Sequence, residues 1–251
     1  MYMKRNRFGS CVFLLSGPVR GELAARPSPA HASPSRREPA MPTPIDATKS
    51  ALRAQVIAAR DAVDESERAR KSRAICDRLK AHAEEVAAGR KGLTVTAFRA
   101  MGSEVDVSGF VRWALEAGWR AAYPCMLKRS EATALDVPGL PVMRFRYVTA
   151  AQLDDEADAF FKHPMKSYAS ADPLLAESPL CEPEAVDLAV VPMVAFDDRR
   201  FRLGYGGGCY DRFLPRLDST AHIAGVAFEE QRVDCVPTDE HDVQLPRIFT
   251  A

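Results

Sequence analysis

The residues with the plainest chemistry lie close together: Gly204, Gly206, Gly207 and Gly208, then Asp211, with Arg202 and Arg212 on either side. Glycines carry no Cβ, so the backbone of such a segment can come right up to a ligand. Successive bare N–H groups make a cradle for an anion. An aspartate beside a phosphate would repel it unless a magnesium ion lies between them, and that ion takes oxygen ligands. Arg202 and Arg212 add fixed positive charge. Two better-known phosphate loops are excluded, since the third glycine of the dinucleotide fingerprint is not at its proper distance and no Gly-Lys-Ser/Thr closes the run. A flexible glycine linker, its aspartate merely suiting a helix start, is the plain alternative.

The elements around this loop suit an anion site. Residues 186–194 are an almost unbroken apolar run, the pattern of a strand buried on both faces. A charged turn follows at 197–200, and residues 210–217 after the glycines predict a short helix whose free N–H groups also face the anion. Far upstream, Leu52, Val56, Ala59 and Val63 recur at helical spacing, with Thr48 placed to cap the helix. Lys49 and Arg53 share a face of it. Two cations on the first turns oppose the helix dipole, a mild cost that a nearby polyanion would offset; a solvated basic face is the alternative.

A second helix is expected over 64–88, opened by Asp64 and Glu67 as a capping box and stopped at Gly89, with Ala69, Ile75, Leu79, Ala83 and Val86 as its apolar line. His82 on that helix has no partner at ligand spacing and reads as a surface or packing residue. Residues 93–98 predict a strand running into a loop that holds Arg99 and Glu104, and the carboxyl end of a strand is where open α/β sheets bind ligands. Solvated loop charges are the alternative there.

Ser108 is placed to cap a helix over 109–117 ended by Gly118. Residues 119–123 predict a strand stopped by Pro124, and 142–148 a strand with one polar face near a sheet edge. Residues 150–185 read as a long loop, in which Phe160, Phe161 and Tyr168 either wall a flat ring system or anchor the loop. Strands are expected at 223–228 and 233–236, and a polar turn at 237–242. Strands alternating with helices predict a three-layer α/β/α sandwich with a mainly parallel sheet, Rossmann-like in its ligand crevice.

Composition narrows the class. The 34 Lys and Arg balance 34 Asp and Glu, which argues against a nucleic-acid binder working by bulk charge. The six cysteines show no metal spacing and read as free thiols in a reducing compartment. No apolar run approaches the ~20 residues of a membrane span. Residues 1–45 are rich in Arg, Ser, Pro and Ala and read as a disordered or leader-like extension, with Met41 an alternative start; residues 46–251 form the single catalytic domain.

The run AFDDRRFRLGYGGGCYDRFL resembles the signature of the 5-formyltetrahydrofolate cyclo-ligases, also called 5,10-methenyltetrahydrofolate synthetases. Further landmarks fall in the family's order: KSALR at 49–53, SEVD at 103–106, YP at 123–124, GVAFEEQ at 225–231 and VPTDEHD at 236–242. The resemblance implies ATP-dependent conversion of 5-formyltetrahydrofolate to 5,10-methenyltetrahydrofolate, with ADP and phosphate released. It implies that Lys49, Arg53, Arg202, Leu203, Gly204, Tyr205, Gly206, Gly207, Gly208, Cys209 and Tyr210 bind ATP, with Arg202 and Asp211 as catalytic residues. Arg99 and Glu104 would contact the pterin along with Tyr205, Gly206, Gly207, Gly208 and Cys209, and Asp211 and Asp242 would hold magnesium. Two positions depart from the pattern: Gly207 stands where the family places a lysine, with Arg202 and Arg129 the candidates to replace its charge, and Cys209 where an aromatic is usual. The chain is expected to act as a monomer, without nucleic acid or membrane, in the cytoplasm, or in an organelle if residues 1–40 are a leader. A folate-binding homologue without turnover and an ATP-dependent kinase or ligase for another small molecule are the alternatives.

Overall fold

The computed structural model describes residues 44–155 and 159–251. The elements in chain order are α1 (Pro44–Asp61), α2 (Glu65–Ala87), β1 (Thr94–Thr96), α3 (Ser108–Glu116), β2 (Arg120–Leu127), β3 (Val142–Val148), α4 (Ala150–Asp155) and α5 (Ala159–Lys162). They continue with β4 (Ser167–Tyr168), β5 (Leu180–Cys181), β6 (Leu188–Val191), β7 (Ala195–Phe196), β8 (Arg202–Leu203), α6 (Cys209–Phe213), β9 (His222–Ala227) and β10 (Ile248–Thr250).

The main sheet runs β10-β9-β6-β1-β2-β3-β5, with β4 paired to β2. From β10 to β2 every pairing is parallel, and β3 and β5 turn antiparallel at one side. Residues of β6 alternate between the two faces: Leu188 and Val190 pack with Ile75 and Leu79 of α2 and Phe110 and Ala114 of α3, while Ala189 and Val191 pack with Phe213 and Leu214. All four are fully buried, which explains why this strand reads as a continuous apolar run. The expected three-layer sandwich is therefore present. A third cluster seats α1, through Val56, on Val194 and Leu203 beside the β7–β8 hairpin.

Several local expectations change. Helix α1 begins at Pro44, where a proline's missing N–H costs nothing, so Thr48 is not its cap and Lys49 lies beyond its first turn. Asp64 does cap α2, accepting from Ser66 N at 2.8 Å, but Glu67 turns to Arg70 at 2.7 Å instead of closing the box. Ala69 is exposed, and the left-handed stop falls on Ala88. His82 packs, with Nδ1 3.2 Å from Arg247 Nη1 and its ring against Phe249. The start of α3 is held not by Ser108 but by Asp106, whose Oδ1 accepts from Ser108 N at 2.9 Å. Strand β2 continues through Pro124: even-numbered residues turn their backbone toward β1, as Arg120 N and Ala122 O do, and β1 ends at Thr96 before a proline N–H would be needed.

Residues 150–185 contain two short helices and two short strands instead of bare loop, and Phe160, Phe161 and Tyr168 are core anchors. The polar side of β3 is not solvated throughout, because buried Arg146 donates to the carbonyls of Ser178 (2.8 Å) and Ser170 (3.1 Å). Residues 233–236 form no strand, while the unexpected β10 adds one at the sheet edge. The expected extension, residues 1–45, lies outside the described residues up to 43. The described cysteines are free, and among the described residues no helix is long and apolar enough to cross a membrane.

Candidate functional site

Strand β6 leads directly into the β7–β8 hairpin, which delivers the glycine loop at the carboxyl side of the sheet. Gly206 and Gly208 have φ of +100° and +59°, values that only glycine adopts readily. A Cβ on Gly206 would sit 3.4 Å from the Arg53 guanidinium. Helix α6 is shorter than expected, ending at Phe213 in a 3-10 turn over Leu214–Arg216 that Pro215 helps to enforce. The loop carbonyls are fastened from outside: Arg53 Nε donates to Gly204 O at 2.7 Å and Arg212 Nη1 to Gly207 O at 3.0 Å. The backbone N–H groups of Gly204, Tyr205, Gly206, Gly207 and Gly208 donate to no acceptor among the described residues. Five consecutive free donors beside two guanidiniums can receive a polyanion.

A carboxylate cluster borders the loop. Arg202 Nη2 donates to Asp211 Oδ1 at 2.6 Å and its Nη1 to Val243 O at 2.9 Å. Lys49 Nζ donates to Asp242 Oδ2 at 2.8 Å and to Asp239 Oδ2 at 2.9 Å. Burial works against the Lys49 charge, but the hydrogen bonds and charges of Asp242 and Asp239 outweigh it and hold its pKa above the ordinary lysine value. Lys49 thus answers two aspartates, which replaces the expected opposition to a helix dipole. Asp211 Oδ2 and Asp242 Oδ1 have no hydrogen-bond partner among the described residues. Two hard carboxylates suit magnesium, which uses one or two carboxylates and completes its shell with phosphate and water. No group of three or more His, Cys, Asp or Glu that could hold a metal ion is present among the described residues.

On the other side of the loop, Glu104 is buried and accepts from Met101 N at 2.8 Å. Burial raises its pKa above 4.5, opposed by the Met101 N–H and the Arg60 charge. Arg60 joins it to the loop, with Nη2 donating to Tyr205 OH at 3.0 Å and Nε to Ser103 Oγ at 2.9 Å. Tyr210 packs edge-on to Phe145, and its buried hydroxyl has no partner among the described residues. Burial, then the nearby Glu104 charge, raise its pKa. Arg99 stands over the Phe161 ring at 5.9 Å.

The structure brings Lys49, Arg202, Asp211 and Asp242 into one cluster, and Glu104, Tyr205 and Tyr210 into a second. Arg53, Arg212 and the glycines lie between them. Arg129 is exposed in a 3-10 turn after β2. It is Arg53 and Arg212 that hold the loop carbonyls, while Arg202, the expected substitute for the missing lysine, is committed to Asp211. Sequence reasoning missed Asp239 and Arg60. The signal for Arg60 was its place seven residues beyond Arg53, on the same face of α1.

Burial raises the Cys209 thiol pKa, against the pull of the Arg212 charge, so the thiolate is scarce at neutral pH. Cys209→Ser is accordingly expected to keep turnover within a few-fold of the parent in a steady-state assay; a loss of several orders of magnitude would make the thiol catalytic.

Fold and site together define a three-layer α/β protein with an arginine-lined glycine loop at the carboxyl side of its sheet. The family model for the 5-formyltetrahydrofolate cyclo-ligase family matches residues 45–251. The chain belongs to that family, a family of ligases. It is 28% identical over 159 residues to a 5-formyltetrahydrofolate cyclo-ligase of Mycolicibacterium smegmatis, covering 63% of this chain and 74% of that one. With relatives from Mycoplasma pneumoniae and Haemophilus influenzae the alignment spans only 41% and 33% of their length. Among solved structures, a 5,10-methenyltetrahydrofolate synthetase from Aquifex aeolicus superposes with a TM-score of 0.55 at 25% identity, covering 80% of this chain and 89% of that one. One from Mycoplasma pneumoniae, at 23% identity and a TM-score of 0.56, covers 80% and 96% and supports the fold alone.

Proposed function

We propose that the protein uses ATP to convert 5-formyltetrahydrofolate to 5,10-methenyltetrahydrofolate, releasing ADP and phosphate. The observation that carries this reading is the Arg60–Tyr205 hydrogen bond, which joins the glycine loop to the buried Glu104 cluster. A phosphate site and a site for a hydrogen-bonding ring system are thereby held in contact. The reaction needs that contact. A formyl oxygen leaves poorly; once it has attacked the γ-phosphorus and ADP has left, N10 can attack the formyl carbon as the carbon–oxygen bond breaks and phosphate departs.

No covalent nucleophile is required of the protein, whose work is alignment and charge neutralisation. The free N–H groups of residues 204–208, with Arg53 and Arg212, would hold the phosphates, and Lys49 would answer their charge beside Asp242. Glu104 and Tyr205 would orient the pterin, with Arg99 at the outer wall and Cys209 and Tyr210 lining the ring. Arg202 would fix Asp211 in place. Asp211 and Asp242 would hold magnesium, which when bound neutralises phosphate charge. The protein would act as a cytoplasmic monomer.

One assay decides among related readings. Purified protein with magnesium and ATP is expected to release ADP only when 5-formyltetrahydrofolate is present. ADP release requiring a different acceptor would point to another kinase or ligase, and folate binding without ADP release would point to a storage protein.

Gly207 supplies a further prediction. A Cβ there would meet Cys209 Sγ at 3.5 Å and Pro141 at 4.0 Å, ordinary contacts, so Gly207→Lys fits. Because Arg212 already sits on the Gly207 carbonyl, the substitution is expected to leave the KM for ATP within a few-fold, whereas Arg212→Ala raises it sharply. Tightening of tenfold or more by Gly207→Lys would show that the family's lysine has not been replaced; tenfold is about 1.4 kcal/mol, close to the lower end for a charge-assisted contact.

A further inference from the structure

Arg60 is 3% exposed. Two of its three nitrogens are satisfied, Nε by Ser103 Oγ and Nη2 by Tyr205 OH, and Ser103 in turn donates to Asp61. The third, Nη1, is buried and has no partner among the described residues. A buried guanidinium N–H without an acceptor is costly, and a fold that has fixed the rest of the group so firmly has an evident use for the exception. Glu104, 7% exposed, shares this cluster. The two opposite charges do not pair directly among the described residues and meet through Tyr205, which leaves a carboxylate acceptor and a guanidinium N–H side by side.

The chemistry of a pterin edge matches that pair. Such an edge presents, in a row, the 2-amino donor, the N3–H donor and the C4 carbonyl acceptor. A carboxylate answers the first two, and the remaining carbonyl calls for a donor beside that carboxylate. We propose that Arg60 is a specificity-determining residue of the folate site, donating from Nη1 to the C4 carbonyl oxygen while Glu104 takes the two donors. This rests on the reading of Glu104 as the pterin contact.

The test compares binding of 5-formyltetrahydrofolate with binding of its 4-amino-4-deoxy analogue, which places a donor where the carbonyl was and also removes the N3–H that faces Glu104, so the change in preference on substituting Arg60 is the quantity read. Wild-type protein, Arg60→Gln and Arg60→Lys are titrated without ATP, with thermal melts to establish folding. The wild type is expected to prefer the 4-oxo compound by roughly tenfold or more, the scale of one charged hydrogen bond. Arg60→Gln should reduce that preference at least about threefold, because an amide can present either oxygen or nitrogen, the remainder coming from the N3–H that Glu104 no longer receives. If Arg60→Gln does not fold, Arg60→Lys gives the reading, with a preference reduced at least about threefold, since one nitrogen cannot reach the three separate positions that the guanidinium nitrogens occupy. Preference unchanged in a folded variant, or affinity for both compounds lowered equally, would make Arg60 a structural residue and overturn the assignment, while the functional reading would stand. A wild type that binds neither compound would overturn the functional reading and this assignment with it.

Discussion

Asp211→Asn is expected to lower kcat about a thousandfold and to raise the magnesium concentration needed for half-maximal turnover. The carboxylate lies three residues beyond the glycine run and is held by Arg202, and under the proposed reading its charge is what allows a cation to be shared with the phosphate. Loss of one preorganised charge at a phosphoryl-transfer site costs on the order of 10²–10³ in rate, and the variant also removes the counter-charge of Arg202, whose side chain is only 4% exposed. Asparagine keeps an oxygen for the Arg202 bond, so the fold should survive with a loss of about 1 kcal/mol, the difference between a charge-assisted and a neutral hydrogen bond. Asp242→Asn should cost less, because Asp239 continues to hold Lys49. Kinetics across a magnesium titration check both, and unchanged magnesium dependence in the two variants would place the ion elsewhere.

Glu104→Gln should separate function from stability. Burial raises the pKa of this carboxyl above its unfolded value of 4.5, so folding favours the protonated form. Its contribution to stability is fully present below the unfolded pKa and is lost as pH rises through the raised folded pKa. At neutral and alkaline pH the ionised group is therefore a burden on the empty protein. The glutamine variant should melt higher than the parent there, with the difference vanishing toward pH 4. Its affinity for 5-formyltetrahydrofolate should fall about a hundredfold, as expected when two charge-assisted contacts become neutral ones. Melting curves over pH 4–9 with parallel substrate titrations check this; a variant less stable than the parent at pH 8 would show that the charge is already compensated.

The parts of the molecule legible in the sequence are those where a single physical demand dominates. Residues 188–191 are buried on both faces and so read as unbroken apolar chain, and Gly206 and Gly208 carry the positive φ that a glycine run announces. Elements governed by context were not legible. Pro124 ends a strand by propensity, yet it sits where the ladder on its N–H side has already stopped. Arg146 reads as solvent-facing in an alternating strand but is buried to hold two distant carbonyls. Strand β10 is three half-buried residues given a partner only by β9. Within the site, the pairings did not follow from spacing: Lys49 meets aspartates roughly 190 residues away, and Arg60, without a motif of its own, turned out to link the loop to Glu104.

The central claim is that the glycine loop and the Glu104 cluster work as one site on ATP and 5-formyltetrahydrofolate. It is tested most directly by the stoichiometry of a single turnover, with protein in excess over folate and both methenyl absorbance and ADP followed in the same mixture. The account predicts one ADP for each methenyl product, rising with the same rate constant and absent when either substrate is withheld. ADP formed without methenyl product, or methenyl product formed without ATP, would contradict it.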